Sequence, residues 1–213
     1  MAAVNPNQIA DTLHPERGDT EYTYDPKERA KQVLSIFQAQ DHPASTVREK
    51  HDMDEIFENV FVGNDKAANN EEQLKKNNIT HILNLRFQVH RRSLDMYHKN
   101  NIVFANVVLA DGIASNLHIK INAILAFIHL AHASGGRVLI HCHMGKSRAP
   151  TVATAYLMLS RGMSVCDAAR LTKRRVQASP HENYVHYLCA LEKATVEHQL
   201  LQLSSIDVKS DHK

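Results

Sequence analysis

One short stretch of the chain restricts its possible folds more than any other. An apolar run at 138–140 leads into a loop at 141–148 that reads His-Cys-His-Met-Gly-Lys-Ser-Arg, and helix-competent sequence follows from 149 to 159. An apolar run of this length is typical of a buried strand. The stretch therefore predicts a strand, a tight loop and a helix N-terminus, with a thiol at the start of the loop and a guanidinium at its end.

This loop suits a bound oxyanion. Its backbone N–H groups can converge on an anion, and the dipole of the following helix favours negative charge there. Arg148 adds a planar fork that can bind two oxygens at once. The same positive field favours the nucleophilic thiolate of Cys142. A structural cysteine beside a surface arginine is the alternative, and the complete set of His, Cys, Gly, Ser and Arg disfavours it.

Apolar runs of strand length alternate with helical segments after residue 54. The predicted strands cover 60–63, 80–85, 102–108 and 137–141, and the predicted helices cover about 65–77, 92–99, 117–133, 148–160, 164–175 and 181–199. Such alternation predicts an α/β domain with a central, mostly parallel sheet of four to five strands flanked by helices. The ligand site is expected at the C-terminal ends of the strands.

The regions outside this domain differ in composition. We predict a disordered N-terminal tail over 1–26, an amphipathic helix and linker over 27–53, the catalytic domain over 54–199 and a polar tail over 200–213. The apolar stripe of the helix consists of Ala30, Val33, Leu34 and Phe37. Its basic residues, Lys27, Arg29 and Lys31, resemble a kinase-docking peptide, although a solvated helix face is the favoured interpretation.

Composition narrows the function classes. The net charge of +2 gives no global field that favours nucleic acid. No apolar run approaches the roughly 18 residues that cross a bilayer, so no membrane insertion is expected. The N-terminus lacks a secretory pattern, and we expect a cytoplasmic protein that can also be nuclear. Three cysteines are too scattered for a metal site, and Cys166 and Cys189 are predicted to be core residues.

The motif His-Cys-x5-Arg resembles the signature of the cysteine-dependent protein phosphatases, and its Ser-Arg ending looks like the dual-specificity subfamily. The resemblance covers roughly residues 54–195, including the segments 56–63 and 78–85 and the run Arg174-Arg175 ahead of Pro180. It implies a cysteine-phosphatase-like fold, phosphorylated protein substrates and catalysis without a metal or cofactor. Kinases are a further expected partner class, and the oligomeric state stays open.

The resemblance also assigns roles to residues. Cys142 matches the nucleophile, and Arg148 with the loop residues His143, Met144, Gly145, Lys146 and Ser147 matches the phosphate-binding loop. Asp111 matches the general acid that later becomes the general base, although an aspartate before Gly112 can also cap a turn. The spacing from Asp111 to Asn116 resembles some family members. His141 is expected to orient Cys142 by hydrogen bonding, with core packing as the alternative.

Ala149 departs from the family pattern, which has Ser or Thr after the arginine. That hydroxyl helps the thiolate leave when the phosphocysteine is hydrolysed, and alanine cannot donate; Ser147 or Thr151 can compensate. The leading interpretation is a phosphatase for phosphotyrosine and for phosphoserine and phosphothreonine. A phosphoinositide phosphatase is an alternative, because His143 and Lys146 resemble basic positions of such enzymes. A phosphate-binding adaptor with slow turnover is the other.

Overall fold

The computed structural model describes residues 24–39, 51–110 and 116–210. Its central sheet has five strands in the order β1-β2-β5-β3-β4, and only β1 runs antiparallel to its neighbour. The strands are β1 Met53–Phe57, β2 Val60–Gly63, β3 His81–Asn84, β4 Val103–Asn106 and β5 Val138–His141. The predicted α/β architecture with a mostly parallel sheet is confirmed.

Helices cover both faces of this sheet. Those in the described ranges are α1 Pro26–Gln38, α2 Asp65–Ala68, α3 Glu71–Lys76, α4 Arg91–Lys99, α5 Leu117–Ala133, α6 Arg148–Arg161, α7 Val165–Arg175 and α8 Glu182–Ser210. Val138 and Ile140 belong to the core shared with α1 and α5–α8, whereas Leu139 belongs to the core on the α2–α4 side. A strand that is buried on both faces needs apolar side chains at successive positions, which explains the apolar run at 138–140 in β5.

The position of β5 determines where the site forms. It lies between β2 and β3 and pairs with both in parallel, with Ile140 opposite Val62 and Leu83. All four of its residues are buried. Because the C-terminal ends of these three strands lie side by side at one end of the sheet, the loop after β5 lies between the ends of β2 and β3.

Several boundaries differ from the sequence prediction, and the strands predicted over 80–85 and 102–108 are the shorter β3 and β4. β1 was not predicted as a separate strand, since Asp54 and Glu55 interrupt its apolar pattern; charges of this kind are tolerated on an edge strand. The helix predicted over 65–77 is two short helices, because the Asn70 side chain caps a new start by accepting from the Gln73 N–H at 3.0 Å. The last helix continues to Ser210 rather than ending at 199, so most of the predicted polar tail is helical.

The predicted amphipathic helix exists as α1 and packs on the catalytic domain. Asp25 caps its start, Pro26 is its first residue, and Ala30, Val33 and Phe37 are buried against α7 and α8. The remainder of the predicted N-terminal tail and the linker after α1 lie outside the described residues. Cys166 and Cys189 are buried free thiols, as predicted. Across the described ranges, none of the helices combines the length and apolar character needed to cross a bilayer.

A buried carboxylate holds α1 in place. Glu192 of α8 is 5% exposed and accepts hydrogen bonds from the Tyr24 hydroxyl at 2.9 Å and from the Val165 N–H at 2.7 Å. The Arg29 guanidinium lies 3.3 Å from the same carboxylate. Burial, together with this carboxylate, raises the pKa of Tyr24, so its hydroxyl stays a donor. One acidic side chain thus joins α1, α7 and α8.

Candidate active site

The predicted nucleophile is the first residue after β5. Cys142 is 2% exposed, and its N–H donates to the Gly63 carbonyl at the end of β2 at 3.4 Å. The Leu85 N–H, just beyond β3, donates to the His141 carbonyl at 3.0 Å. The thiol is therefore held between the ends of two neighbouring strands, at the base of the loop.

Two carbonyl groups of the loop from 142 to 148 accept hydrogen bonds from backbone N–H groups outside the loop. The His143 carbonyl accepts from the Asp65 N–H at 3.1 Å, and the Lys146 carbonyl accepts from the Ser179 N–H at 2.7 Å. Among the described residues, the N–H groups of 143–147 donate to no other protein group. These five donors stay available, as an anion-binding nest requires.

Gly145 is required by the shape of this loop. Its φ is +71°, a left-handed conformation that other residues rarely adopt. A Cβ atom there would lie 2.9 Å from the backbone of Gly63, which is too close for any side chain. The glycine lets the loop turn sharply against the end of β2.

The other half of the loop leads into α6. The Ser147 carbonyl accepts from both the N–H and the hydroxyl of Thr151, at 3.0 and 2.8 Å, which starts the helix. The Ser147 hydroxyl accepts from the His181 N–H at 3.2 Å. Arg148 is the first residue of α6, and its Nη1 donates to the Leu109 carbonyl at 3.4 Å. The predicted guanidinium, thiol and helix N-terminus are thus brought together in one loop.

An ion pair that sequence reasoning missed supports the loop from below. Asp65 follows β2, Arg86 follows β3, and their side chains pair with each other across the end of β5. The Asp65 N–H also holds the His143 carbonyl. The available signal was that these charged residues come one or two positions after predicted strands, at the C-terminal ends of the strands, where the site was expected.

His141 lies beneath Cys142 and is 4% exposed. Burial lowers its pKa to about 4; Asp65 opposes this shift and Arg86 adds to it. The imidazole is therefore neutral near pH 7. A hydrogen-bonding contact with the Cys142 backbone also opposes the fall in the pKa of His141, although within the described part of the chain neither ring nitrogen has a partner at standard hydrogen-bond geometry. The orienting role of His141 therefore stays a prediction, with core packing as the alternative.

Two other predicted site residues, Asp111 and Asn116, lie in and next to the segment 111–115. Asp111 lies outside the described residues. The chain leading to it is held at the loop, because the Leu109 carbonyl accepts from Arg148 and the Ala110 carbonyl accepts from the Tyr184 hydroxyl. Asn116, on the other side of the gap, is partly buried; its Oδ1 is shielded from solvent and finds no partner among the described residues.

The remaining loop side chains differ in exposure. His143 and Met144 are exposed, whereas Lys146 and Ser147 are partly buried. In chemical terms, residues 142–148 offer a buried thiol, a guanidinium and five N–H groups that have no protein acceptor among the described residues. That set can bind a tetrahedral oxyanion and place a sulfur nucleophile beneath its central atom.

Comparisons with known proteins agree with this geometry. The family model for the catalytic domain of dual specificity phosphatases matches residues 60–194. Dual specificity protein phosphatase 1B of Arabidopsis thaliana is 35% identical over 144 residues, which are 67% of this chain and 83% of that protein. Dual specificity protein phosphatase 26 of Bos taurus is 31% identical over 141 residues, which are 66% of this chain and 67% of that protein.

Solved structures show the same similarity. The crystal structure of human DUSP28 has a TM-score of 0.61 and 25% identity, and the match covers 69% of this chain and 97% of that one.

Proposed function

Because this chain belongs to the dual specificity phosphatase family, we propose that it dephosphorylates phosphotyrosine, and phosphoserine and phosphothreonine, through a cysteinyl-phosphate on Cys142. Protein phosphatase activity itself follows from membership of the family. The mechanism and the choice of phosphoresidues are the proposal. The observation that carries it is the loop between β5 and α6, which combines a buried thiol, Arg148 and five N–H groups that have no protein acceptor among the described residues.

In the first step the Cys142 thiolate attacks phosphorus and the bond to the substrate oxygen breaks. The loop N–H groups and the Arg148 fork hold the equatorial oxygens, whose charge grows in the transition state. The leaving oxygen takes a proton from Asp111. The bonds from Leu109 to Arg148 and from Ala110 to Tyr184 support this assignment, since they hold the chain before Asp111 at the loop.

In the second step water attacks the phosphocysteine, Asp111 accepts a proton from that water, and Cys142 leaves as a thiolate. The products are phosphate and the free enzyme, and no redox change occurs. The neutral His141 beneath the cysteine adds no charge to this exchange. The comparisons give no support to the phosphoinositide alternative, and slow turnover through Ala149 remains a separate prediction.

The test compares substrates that share a phosphate and differ in the leaving group. Wild-type protein should hydrolyse phosphotyrosine, phosphoserine and phosphothreonine peptides. Asp111→Asn should lower the rate about 10²–10⁴-fold on phosphoserine peptides, whose alkoxide needs a proton. The loss should be smaller on an aryl phosphate with an acidic phenol, because that phenolate leaves unprotonated.

Asp95→Asn, on the exposed face of α4, is the matched control and should leave all rates unchanged. Equal losses on both substrate types would make Asp111 structural instead of a proton donor. Faster release of phosphate from phosphoinositides than from every phosphopeptide would reject the proposed substrate class.

A further inference from the structure

Two large apolar side chains stand exposed at the rim of the phosphate-binding loop. Phe87 is 85% exposed and Met144 is 62% exposed. We propose that they form an apolar rim that selects protein substrates with an apolar side chain within about three residues of the phosphorylated one. The inference rests on the proposed function and adds the class of substrate sequence.

Phe87 and Met144 lie on neighbouring segments, because the residue before each of them contacts Asp65. The Asp65 carboxylate pairs with Arg86, and the Asp65 N–H donates to the His143 carbonyl at 3.1 Å. Phe87 directly follows Arg86, and Met144 directly follows His143. The backbones are also joined, because the Leu85 N–H, two residues before Phe87, donates to the His141 carbonyl, three residues before Met144, at 3.0 Å.

The reach of a bound peptide matches this position. With its phosphate held by the loop N–H groups, an extended peptide advances about 3.3 Å per residue. Side chains one to three positions away therefore lie within about 10 Å of the phosphorylated residue. They reach residues beside the loop, such as Phe87 and Met144, and leave the far side of the domain untouched.

The surrounding charge favours an anionic segment. The stretches 87–92 and 142–148 contain Arg91, Arg92, Lys146 and Arg148 and no acidic residue. Arg91 and Arg92, at the start of α4, are exposed. A phosphopeptide is attracted by this field and then gains apolar contact at the rim. An anionic membrane meets the same two conditions, and the test separates it from a peptide.

The experiment uses the full chain and two phosphotyrosine peptides that differ only in the residue after the phosphotyrosine, Leu or Asn. Wild-type protein should favour the Leu peptide about tenfold in kcat/KM, mainly through KM, the change expected when roughly half of an aromatic side chain is buried. Phe87→Ser and Met144→Ser should each move this ratio towards one. A ratio taken within one variant cancels any general loss of activity, which matters for Met144 because it belongs to the loop.

Leu130→Ser is the matched control. Leu130 is 63% exposed, close to the value for Met144, but it lies near the end of α5, just before the chain enters the N-terminal end of β5. It should keep the wild-type ratio. A wild-type ratio near one, or an unchanged ratio in Phe87→Ser, would overturn the inference. So would loss of binding to phosphatidylserine vesicles in Phe87→Ser with the peptide ratio unchanged, which would make the rim a membrane contact. If wild type hydrolysed neither peptide, the proposed function would fail first.

Discussion

Ala149 directly follows Arg148 in the first turn of α6 and is fully buried. Its methyl group cannot donate to the departing Cys142 thiolate. The Thr151 hydroxyl does not replace that donor, because it already donates to the Ser147 carbonyl at 2.8 Å. The Ser147 hydroxyl accepts from His181 and keeps its own proton available. Among the two compensating residues that the sequence suggested, the contacts therefore leave Ser147.

The prediction for Ala149 concerns the second chemical step. One missing hydrogen bond to a developing charge is worth about 1.5–3 kcal/mol, or roughly 10–150-fold in rate. Rapid mixing with an aryl phosphate should give a burst of phenol near one equivalent, followed by slow release. Ala149→Ser should shrink the burst and speed the slow phase. No burst in wild type, with an unchanged turnover number in Ala149→Ser, would mean that Ser147 or another group already supplies the proton.

His141 makes the folded protein sensitive to acid. Burial lowers its pKa from 6.5 to about 4 in the folded state. Between these values the unfolded chain binds a proton that the folded chain does not, so stability falls as pH decreases from 6.5 towards 4. The expected loss between pH 7 and pH 5 is about 2 kcal/mol from this residue.

Urea unfolding at the two pH values measures this loss. In His141→Asn the difference between pH 7 and pH 5 should shrink by that amount, whatever the variant costs at pH 7. His186→Asn, on the exposed side of α8, should keep the wild-type difference. An unchanged pH difference in His141→Asn would show that the imidazole is not buried as a neutral group.

At the scale of elements, the attachment of α1 depends on Glu192. Removing this buried carboxylate takes away the anion that Arg29 pairs with and the acceptor of the Val165 N–H at the start of α7, whereas the Tyr24 hydroxyl keeps the Cys189 carbonyl as an acceptor. Glu192→Ala should lower the free energy of unfolding by about 3 kcal/mol. Amide hydrogen exchange over 26–38 should rise more than in the sheet.

Glu197→Ala is the control on the same helix, where the Glu197 side chain is 60% exposed. Its effect should stay within about 0.5 kcal/mol. If Glu192→Ala behaved like this control and exchange over 26–38 stayed at the wild-type level, α1 would be held by apolar packing alone.

The elements differ in how well the sequence predicts them, and for a physical reason. β5 is buried on both faces, so its whole length is apolar and easy to identify. β1 is an outer strand of the sheet, and its Asp54 and Glu55 interrupt the apolar pattern by which a strand is recognised in the sequence. The interior of α8 has no glycine or proline, so only the polar composition after 199 suggested that it ends there.

At the scale of the whole molecule, the site combines one contiguous motif with residues from other strands. Cys142 through Arg148 are adjacent in sequence, so their spacing alone predicts the loop. Asp65 and Arg86 reach it only because β2 and β3 flank β5, an order that no local pattern encodes. The exposed rim of Phe87 and Met144 depends on the same order. Sequence therefore predicts the chemistry of the site better than it predicts the side chains that support and surround it.

The central claim is that Cys142 carries the phosphoryl group during turnover, and one measurement tests it directly. Wild-type protein is mixed with excess phosphotyrosine peptide, denatured within milliseconds, digested and weighed by mass spectrometry. A phosphoryl group should appear on the peptide containing Cys142 in wild type and in Cys166→Ser, and should be absent from Cys142→Ser, which should also be inactive. Wild-type turnover without phosphate on Cys142, or hydrolysis by Cys142→Ser at the wild-type rate, would contradict the account.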